Sequence, residues 1–243
     1  MRLPVTSYPV ADPGRRLARI LTPGQSPGQA LRNTFVYPVT QRLGMIQGNR
    51  ADLLRLGALV RVAATSPRSA VYVPVPPDDG TDRSWSGLAP LALVVVREDA
   101  GLRPSDWPRL RERIRRGPAH GRSTTVTAPA PRDVWGSNPE LDRLAERCPA
   151  RLVEHAGTLF LIGRPELLFA AGDLITACGE DIAGNRHIHQ HGEAWLGDLF
   201  GVVAAGHGTR PGPAGDIEVG VYAVEPIFHK RRWREPRGGT SRP

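Results

Sequence analysis

Apolar and polar positions recur with two different periods along the chain, and these periods predict both strands and helices. The continuous apolar run from Leu91 to Val96 predicts a buried strand. A helix is predicted from Ser105, because Trp107, Leu110 and Ile114 recur at spacings of three and four and so share one face. Arginines fill the opposite face, which is typical of a helix that lies on the surface of a protein.

Further strands and helices follow from the same criteria. Runs rich in β-branched or apolar residues between turn residues predict strands, and apolar positions at helical spacing after a proline predict helices. The predicted strands span residues 58–64, 70–75, 124–127, 151–155, 158–162, 199–205 and 218–224. The predicted helices begin at Pro139 and at Glu166, and the second of them ends near Cys178.

The two ends of the chain show little of this order. The first 57 residues are poorly periodic, and the one element predicted there is a short helix from the Asp12-Pro13 pair through Leu21, because aspartate caps helices and proline fits their first turn. The last 14 residues are basic and predict a mobile tail. We therefore predict an irregular N-terminal segment at 1–57, a core domain at 58–229 and a basic tail at 230–243.

Strand and helix predictions alternate across the core, and this alternation leads to the expected fold class. Strands joined by short turns favour antiparallel neighbours, whereas strands separated by a helix favour parallel crossovers. The sequence contains no internal repeat and no long linker that would divide it. We predict one α/β or α+β domain with a mixed β-sheet flanked by helices.

Composition narrows the class of protein. Of the 243 residues, 40% are hydrophobic and 23% are charged, as in globular proteins. The longest apolar run, Leu88 to Val96, is too short to span a bilayer, and the first residues lack the apolar run of a secretory signal. Cys148 and Cys178 are the only cysteines and lack zinc-finger spacing. These features predict a cytoplasmic protein with reduced thiols and no membrane partner.

The net charge of +8 points to an anionic partner. Every basic side chain except Lys230 is an arginine, a bias that a GC-rich coding sequence also produces. Arginine favours bidentate contacts to phosphate. The charge therefore fits a phosphorylated small molecule or a nucleotide as partner, and it leaves nucleic acid as an alternative.

One cluster of histidines carries the candidate chemistry. His187, His189 and His191 alternate with other residues, and an extended backbone would place all three on one face, about 6 to 7 Å apart. Imidazoles titrate near neutral pH, attack phosphorus and bind transition metals. Glu193 adds a carboxylate beside them. The segment predicts a catalytic or metal-binding pocket.

A metal site is one interpretation of this cluster. His187, His189, His191 and Glu193 supply imidazole and carboxylate ligands, and three of them with an open position for water would hold catalytic zinc, iron or manganese. Asp198, His207 or His229 are further candidates to complete such a site. This interpretation predicts a metal-dependent hydrolase or oxygenase.

A second interpretation comes from a resemblance. The run from His189 to Trp195, His-Gln-His-Gly-Glu-Ala-Trp, resembles the His-Pro-His-Gly-Gln-Ile-Trp signature of galactose-1-phosphate uridylyltransferases, and residues 187–191 match the alternating histidines of the wider histidine-triad superfamily. The resemblance covers about nine residues, 187–195. It implies that His191 is the nucleophile that attacks phosphorus, that His189 supports it, and that Glu193 takes the place of a glutamine that contacts phosphate oxygens.

These observations favour an enzyme over the other classes. The hypothesis is a transferase or hydrolase that acts on a phosphorylated or nucleotide substrate, with His191, His189 and Glu193 as catalytic residues. In it, His187, Arg186 and Arg210 bind the substrate, because the two guanidinium groups neutralise phosphate charge. The alternatives are the metal-dependent enzyme and a basic nucleic-acid-associated or interaction protein in which the histidines are structural.

Overall fold

A computed structural model describes residues 1–10, 16–24, 30–40, 43–76, 88–117, 121–132, 139–185, 193–198, 203–205 and 218–224. These residues contain four α-helices and twelve strands. The helices are α1 (Arg50–Thr65), α2 (Trp107–Arg116), α3 (Pro139–Arg147) and α4 (Pro165–Asp181). The strands are β1 (Arg2–Pro9), β2 (Arg19–Pro23), β3 (Phe35–Thr40), β4 (Leu43–Gly48), β5 (Ser69–Val73), β6 (Ala92–Arg97), β7 (Arg122–Thr127), β8 (Ala150–His155), β9 (Thr158–Gly163), β10 (Glu193–Asp198), β11 (Val203–Ala205) and β12 (Glu218–Val224).

The strands form two mixed sheets. Sheet A has eight strands in the order β11-β8-β9-β6-β5-β2-β1-β7, and sheet B has four in the order β10-β12-β4-β3. In sheet A, the pairs β2/β5, β6/β9 and β8/β11 are parallel and the remaining pairs are antiparallel. In sheet B, β4 and β12 are parallel. The mixture confirms the predicted α/β or α+β class, although the described chain has two sheets where one was predicted.

The helices and sheets lie in layers. The inner face of sheet A packs with α1, α4 and the inner face of sheet B in one continuous hydrophobic core, which includes Val95, Leu56, Ile175 and Ile46. The outer face of sheet A packs against α2 in a second core. Because both faces of β6 and β9 are covered, these strands read as unbroken apolar runs rather than as alternating ones.

The second core is centred on Trp107. Its indole ring packs edge-on against Tyr72, with ring centroids 4.9 Å apart, and against Phe160, with centroids 5.8 Å apart. The indole Nε1–H donates to Thr158 Oγ1 at 3.0 Å, which satisfies the one polar group that the buried ring carries. Leu110 and Ile114 extend the same face of α2, as their spacing predicts.

The strand prediction at 58–64 is wrong, because these residues belong to helix α1. The β-branched residues Val60 and Val62 suggested a strand, but Asn49 caps the helix by accepting a hydrogen bond from the Asp52 backbone N–H at 2.9 Å. Residues 56–64 are buried without interruption, since α1 lies between sheet A and α4. A helix covered on all sides shows no amphipathic period.

The N-terminal prediction also needs correction. The described residues of the segment 1–57 form β1 to β4 and the start of α1 rather than an irregular stretch with a short helix. Arg19–Pro23 is a strand that pairs with β1, so the predicted helix does not reach Leu21. In β1 the side chains of Leu3 and Val5 are buried in the core, and their neighbours are exposed or half-buried. Two apolar positions are too few to predict a strand from the sequence.

The elements predicted between residues 70 and 181 are confirmed as β5, β6, α2, β7, α3, β8, β9 and α4, and β12 matches its predicted range. Strand β10 has no counterpart among the sequence predictions. The predicted tail at 230–243 lies outside the described residues. Within the described part of the chain, none of the helices combines the length and the apolar character needed to cross a membrane.

Candidate functional site

The histidine segment itself lies outside the described residues. This applies to His187, His189, His191 and Arg186, and also to Arg210. The structure describes the backbone of Glu193, which begins β10 and pairs with Val224 of β12. The predicted convergence of the three imidazoles therefore stays a prediction, and the structure contributes the position of the two flanks of the segment.

Both flanks lie near the start of α1, since a Cβ on Gly179, close to the end of α4, would stand 3.1 Å from Leu53 Cβ. On one side, α4 ends at Asp181 and continues through a turn to Asn185, whose Nδ2 donates to Asp181 Oδ2 at 3.2 Å. On the other side, Glu193 starts β10 next to the carboxyl end of β12. The carboxyl ends of β12 and β4 coincide, because Ala223 pairs with Gly48 in parallel register.

Helix α1 begins at this end of sheet B. Gly48 ends β4, Asn49 is the helix cap and Arg50 is the first helical residue. A Cβ on Gly48 would stand 2.9 Å from the Leu53 side chain, so glycine lets the strand turn tightly into the helix. The Asp52 carboxylate accepts the backbone N–H of Asn33 at 2.7 Å and so ties the residues before β3 to the same turn.

The start of α1 offers partial positive charge to an anion, although the Asp52 carboxylate lies in the same turn and Asn49 caps one of its N–H groups. The N-terminus of a helix carries a partial positive charge from its aligned peptide dipoles, and its first N–H groups point outward. Arg50 adds an exposed guanidinium at the first turn of α1. Ligands of open α/β sheets bind beyond the carboxyl ends of parallel strands, where a helix N-terminus follows. The β4–α1 turn has this arrangement.

Thr34 adds a polar group at the same edge. It precedes β3, whose first residue Phe35 pairs with Gln47 near the end of β4. Its side chain is buried, and Oγ1 makes no hydrogen bond within the described structure. A buried hydroxyl without a partner costs free energy, so it marks a position where a polar contact remains to be made.

A second polar cluster lies between α1 and α4. Arg61 and Asp173 are each only 2% exposed, and Arg61 Nη1 lies 3.4 Å from Asp173 Oδ1. The same nitrogen donates to Thr176 Oγ1 at 2.6 Å and to the Gly172 carbonyl at 3.0 Å, while Nε donates to the Pro129 carbonyl at 3.2 Å. Two nitrogens of the guanidinium, Nη1 and Nε, are thus hydrogen-bonded.

Burial sets the ionisation of this pair. Desolvation raises the pKa of Asp173, against the opposing effects of hydrogen bonding from Arg132 and the charge of Arg61. Desolvation also lowers the pKa of Arg61, against the charges of Asp173 and Glu180. Arg132 reaches Asp173 from the surface, with Nε 3.6 Å from Oδ2 and its guanidinium 3.9 Å from the Phe169 ring centre. The cluster is sealed from a substrate, so its role is to hold the two helices together.

Sequence reasoning missed both sets of residues. The signal for the α1 N-terminus was Asn49 three residues before Asp52 and ahead of an apolar run, which is a helix-start pattern. The signal for the buried pair was a single arginine, Arg61, within the apolar residues 56–64. The second signal does not identify the partner of Arg61, because Asp173 lies 112 residues away in sequence.

Metal ligation receives no support from the part of the chain that the structure describes, where no three His, Cys, Asp or Glu side chains lie close enough to hold an ion. The predicted ligands His187, His189 and His191 lie outside the described residues, so the metal interpretation stays a prediction. Cys178 is buried and Cys148 is half-buried, and both are present as thiols.

Comparisons with known proteins add no assignment. No protein-family model, no curated protein and no solved structure matches this chain. The resemblance of residues 187–195 to the uridylyltransferase signature therefore depends on those residues alone.

Proposed function

We propose that the protein is an enzyme that cleaves or transfers a phosphoryl or nucleotidyl group by way of a covalent histidine intermediate. The supporting observation is the position of the residues that flank the histidine segment. Glu193 lies beside the carboxyl ends of β12 and β4, and α4 ends close to the first turn of α1. Phosphate groups are favoured at such a place by the helix dipole.

The proposed chemistry follows from the residue types. A ring nitrogen of His191 attacks the phosphorus, so that a P–N bond forms while the bond to the leaving group breaks and that group departs with the electron pair. Water or an acceptor hydroxyl then attacks the same phosphorus and restores the imidazole. His189 and Glu193 orient His191 and the phosphate oxygens, and His187, Arg186 and Arg210 bind the substrate.

The proposal includes a cytoplasmic location. Its support is that Cys148 and Cys178 are thiols, as expected in a reducing compartment.

Trapping the covalent intermediate tests the proposal. Protein purified without a histidine tag is incubated with nucleoside triphosphates and with nucleotide sugars, and its intact mass is measured under alkaline conditions that preserve phosphohistidine. We expect a mass increase of one phosphoryl or nucleotidyl group, abolished by His191→Ala. The matched control is His155→Ala, because His155 is half-buried at the end of β8, in sheet A.

Two results would overturn the proposal. One is the absence of both adduct and turnover with every probe. The other is stoichiometric zinc, iron or manganese in the wild-type protein that is lost in a His187→Ala/His189→Ala variant, which would establish the metal-dependent alternative.

A further inference from the structure

A groove runs between β1 and helix α2 on the outer face of sheet A. It has a volume of about 350 Å³, near the lower end of the range for ligand pockets. Because sheet B packs against the other face of sheet A, the groove is separate from β10, which follows the histidine segment. The described residues that line it belong to β1, β2 and α2 or directly follow β1 and α2.

The floor of the groove is apolar and includes an aromatic side chain. Val10 and Ile20 line it from the sheet side, and Leu110 and Ile114 line it from α2. Tyr8 lies beside them and is only half-buried. An open groove of this kind accepts a flat, partly apolar group, and the face of Tyr8 offers a surface on which an aromatic ring stacks.

The rim of the groove is basic. Helix α2 carries five arginines and only one acidic residue, Glu112. Arg113 and Arg116 line the groove, and the Arg116 side chain is 80% exposed although Glu112 accepts a hydrogen bond from its Nε. Arg113 is exposed, and its guanidinium makes no hydrogen bond or ion pair to any residue that the structure describes. Its charge is available to an anion.

The sheet continues the groove with a row of hydroxyl groups. Cross-strand partners share a face of a sheet, and Tyr8 pairs with Ile20 of the outer core while Thr6 pairs with Ser123. A Cβ on Gly121 would stand 2.6 Å from Thr6 and 2.8 Å from Tyr8, which places the start of β7 against the same side chains. Ser123 and Thr125 are exposed on β7.

These features together fit one class of ligand. Single-stranded nucleic acid combines exposed bases, which stack on aromatic side chains, with phosphates, which pair with arginine. A duplex hides its bases and leaves an apolar groove unfilled. An acidic peptide would pair with the arginines but has no regular requirement for Tyr8.

We propose that the groove between β1 and α2 binds single-stranded nucleic acid, with a base against Tyr8 and the apolar floor, and with phosphates on Arg113 and Arg116. The hydroxyls of Ser123 and Thr125 extend the contact along β7.

Fluorescence anisotropy with a labelled oligo(dT) of about 12 nucleotides tests this proposal. We expect Arg113→Gln/Arg116→Gln to weaken binding at least tenfold. We also expect the slope of log K against log salt to become shallower by about 1.4, because each lost phosphate contact removes about 0.7 from the slope for a single strand. Tyr8→Ala should weaken binding as well, whereas Tyr8→Phe should retain it, because stacking needs the ring and not the hydroxyl.

Arg143→Gln/Arg147→Gln is the matched control. These two arginines lie on α3 and are exposed, and replacing them removes the same charge as the α2 double substitution. Thermal melts show whether each variant folds. The proposal is wrong if the α3 variant loses as much affinity as the α2 variant, or if Tyr8→Ala binds like the wild type. It is also wrong if a duplex or polyglutamate competes as well as unlabelled oligo(dT), or if the wild type does not bind oligo(dT).

Discussion

Arg61 illustrates how a single residue acquires its role from its surroundings. In the apolar run of α1 its charge would be costly, but Asp173, Thr176 and two backbone carbonyls bond its guanidinium. Removing charges from water costs several kcal/mol for each ion, and mutual attraction offsets this cost only when the geometry is good. We therefore expect the loss of one member of the pair to lower the free energy of unfolding more than the loss of both members does.

Arg61→Met tests this dependence. We expect the free energy of unfolding to fall by about 3–5 kcal/mol, because Asp173 would remain buried and would keep only the backbone N–H and the exposed guanidinium of Arg132 as partners. The double variant Arg61→Met/Asp173→Leu should recover most of this loss, since no uncompensated charge remains. Urea denaturation followed by circular dichroism measures both. A double variant less stable than the single one would contradict the argument.

Asp99 differs from Asp173 in that its surroundings lower its pKa rather than raise it. Arg97 donates to both of its oxygens, with Nε 2.8 Å from Oδ1 and Nη2 2.7 Å from Oδ2, and Arg16 Nη1 lies 2.9 Å from Oδ2. These hydrogen bonds, together with the two positive charges, lower the pKa of Asp99 below its usual value of 3.8. The folded protein therefore binds this proton less readily than the unfolded chain.

This shift predicts how stability varies with pH. The contribution of Asp99 is fully present above pH 3.8 and is lost as the pH falls through its lower, folded-state pKa. Asp99→Asn should therefore be less stable than the wild type near neutral pH, by a modest amount because the carboxylate is 32% exposed. The difference in melting temperature should shrink as the pH falls below 3.8. A constant difference across this range would refute the assignment.

At the scale of elements, the crossing of α1 and α4 depends on glycine. A Cβ on Gly57 would lie 2.3 Å from Thr176 Oγ1 and 2.5 Å from the Gly172 carbonyl oxygen. A Cβ on Gly172 would lie 2.7 Å from the Gly57 carbonyl oxygen. The two helix backbones are therefore in direct contact, and this contact brings Arg61 within reach of Asp173 and Thr176.

Gly57→Ala should destabilise the protein for this reason. In an isolated helix the change would stabilise by about 1 kcal/mol, because glycine is the weaker helix former. Here the new methyl group meets backbone as well as a side chain, and we expect a net loss of about 1–3 kcal/mol. Gly184→Ala is the control, because the nearest atom to its added Cβ among the described residues, the Asp181 carbonyl oxygen, is 4.0 Å away. Unfolding by urea compares the two, and a stabilised Gly57→Ala variant would show that the helices separate readily.

The pattern of apolar residues predicts helix α2 but not helix α1. Trp107, Leu110 and Ile114 define one apolar face on α2, because its other face meets water. Helix α1 has neighbours all around it, so its pattern lacks a period and its β-branched residues suggested a strand. The helical period of apolar residues therefore identifies a helix only when one of its faces is exposed.

At the scale of the whole molecule, pairs distant in sequence decide which residues meet. β4 and β12 are parallel neighbours although about 170 residues separate them, and this pairing brings the β4–α1 turn to the flanks of residues 186–192. Nothing in the local pattern of either strand specifies that partner, since both are short and apolar. The proximity of the β4–α1 turn to the flanks of the histidine segment could not be predicted from that segment.

The sequence by itself determined the class of fold, most elements after residue 69 and the residue types that carry the candidate chemistry. These properties follow from local period, turn residues and composition, which act within a few residues. Only the tertiary structure decided the two-sheet arrangement, the helical state of residues 58–64, the Arg61–Asp173 pair and the groove between β1 and α2. Each of these depends on which surfaces are buried against each other, and burial arises from contacts between residues far apart in the chain.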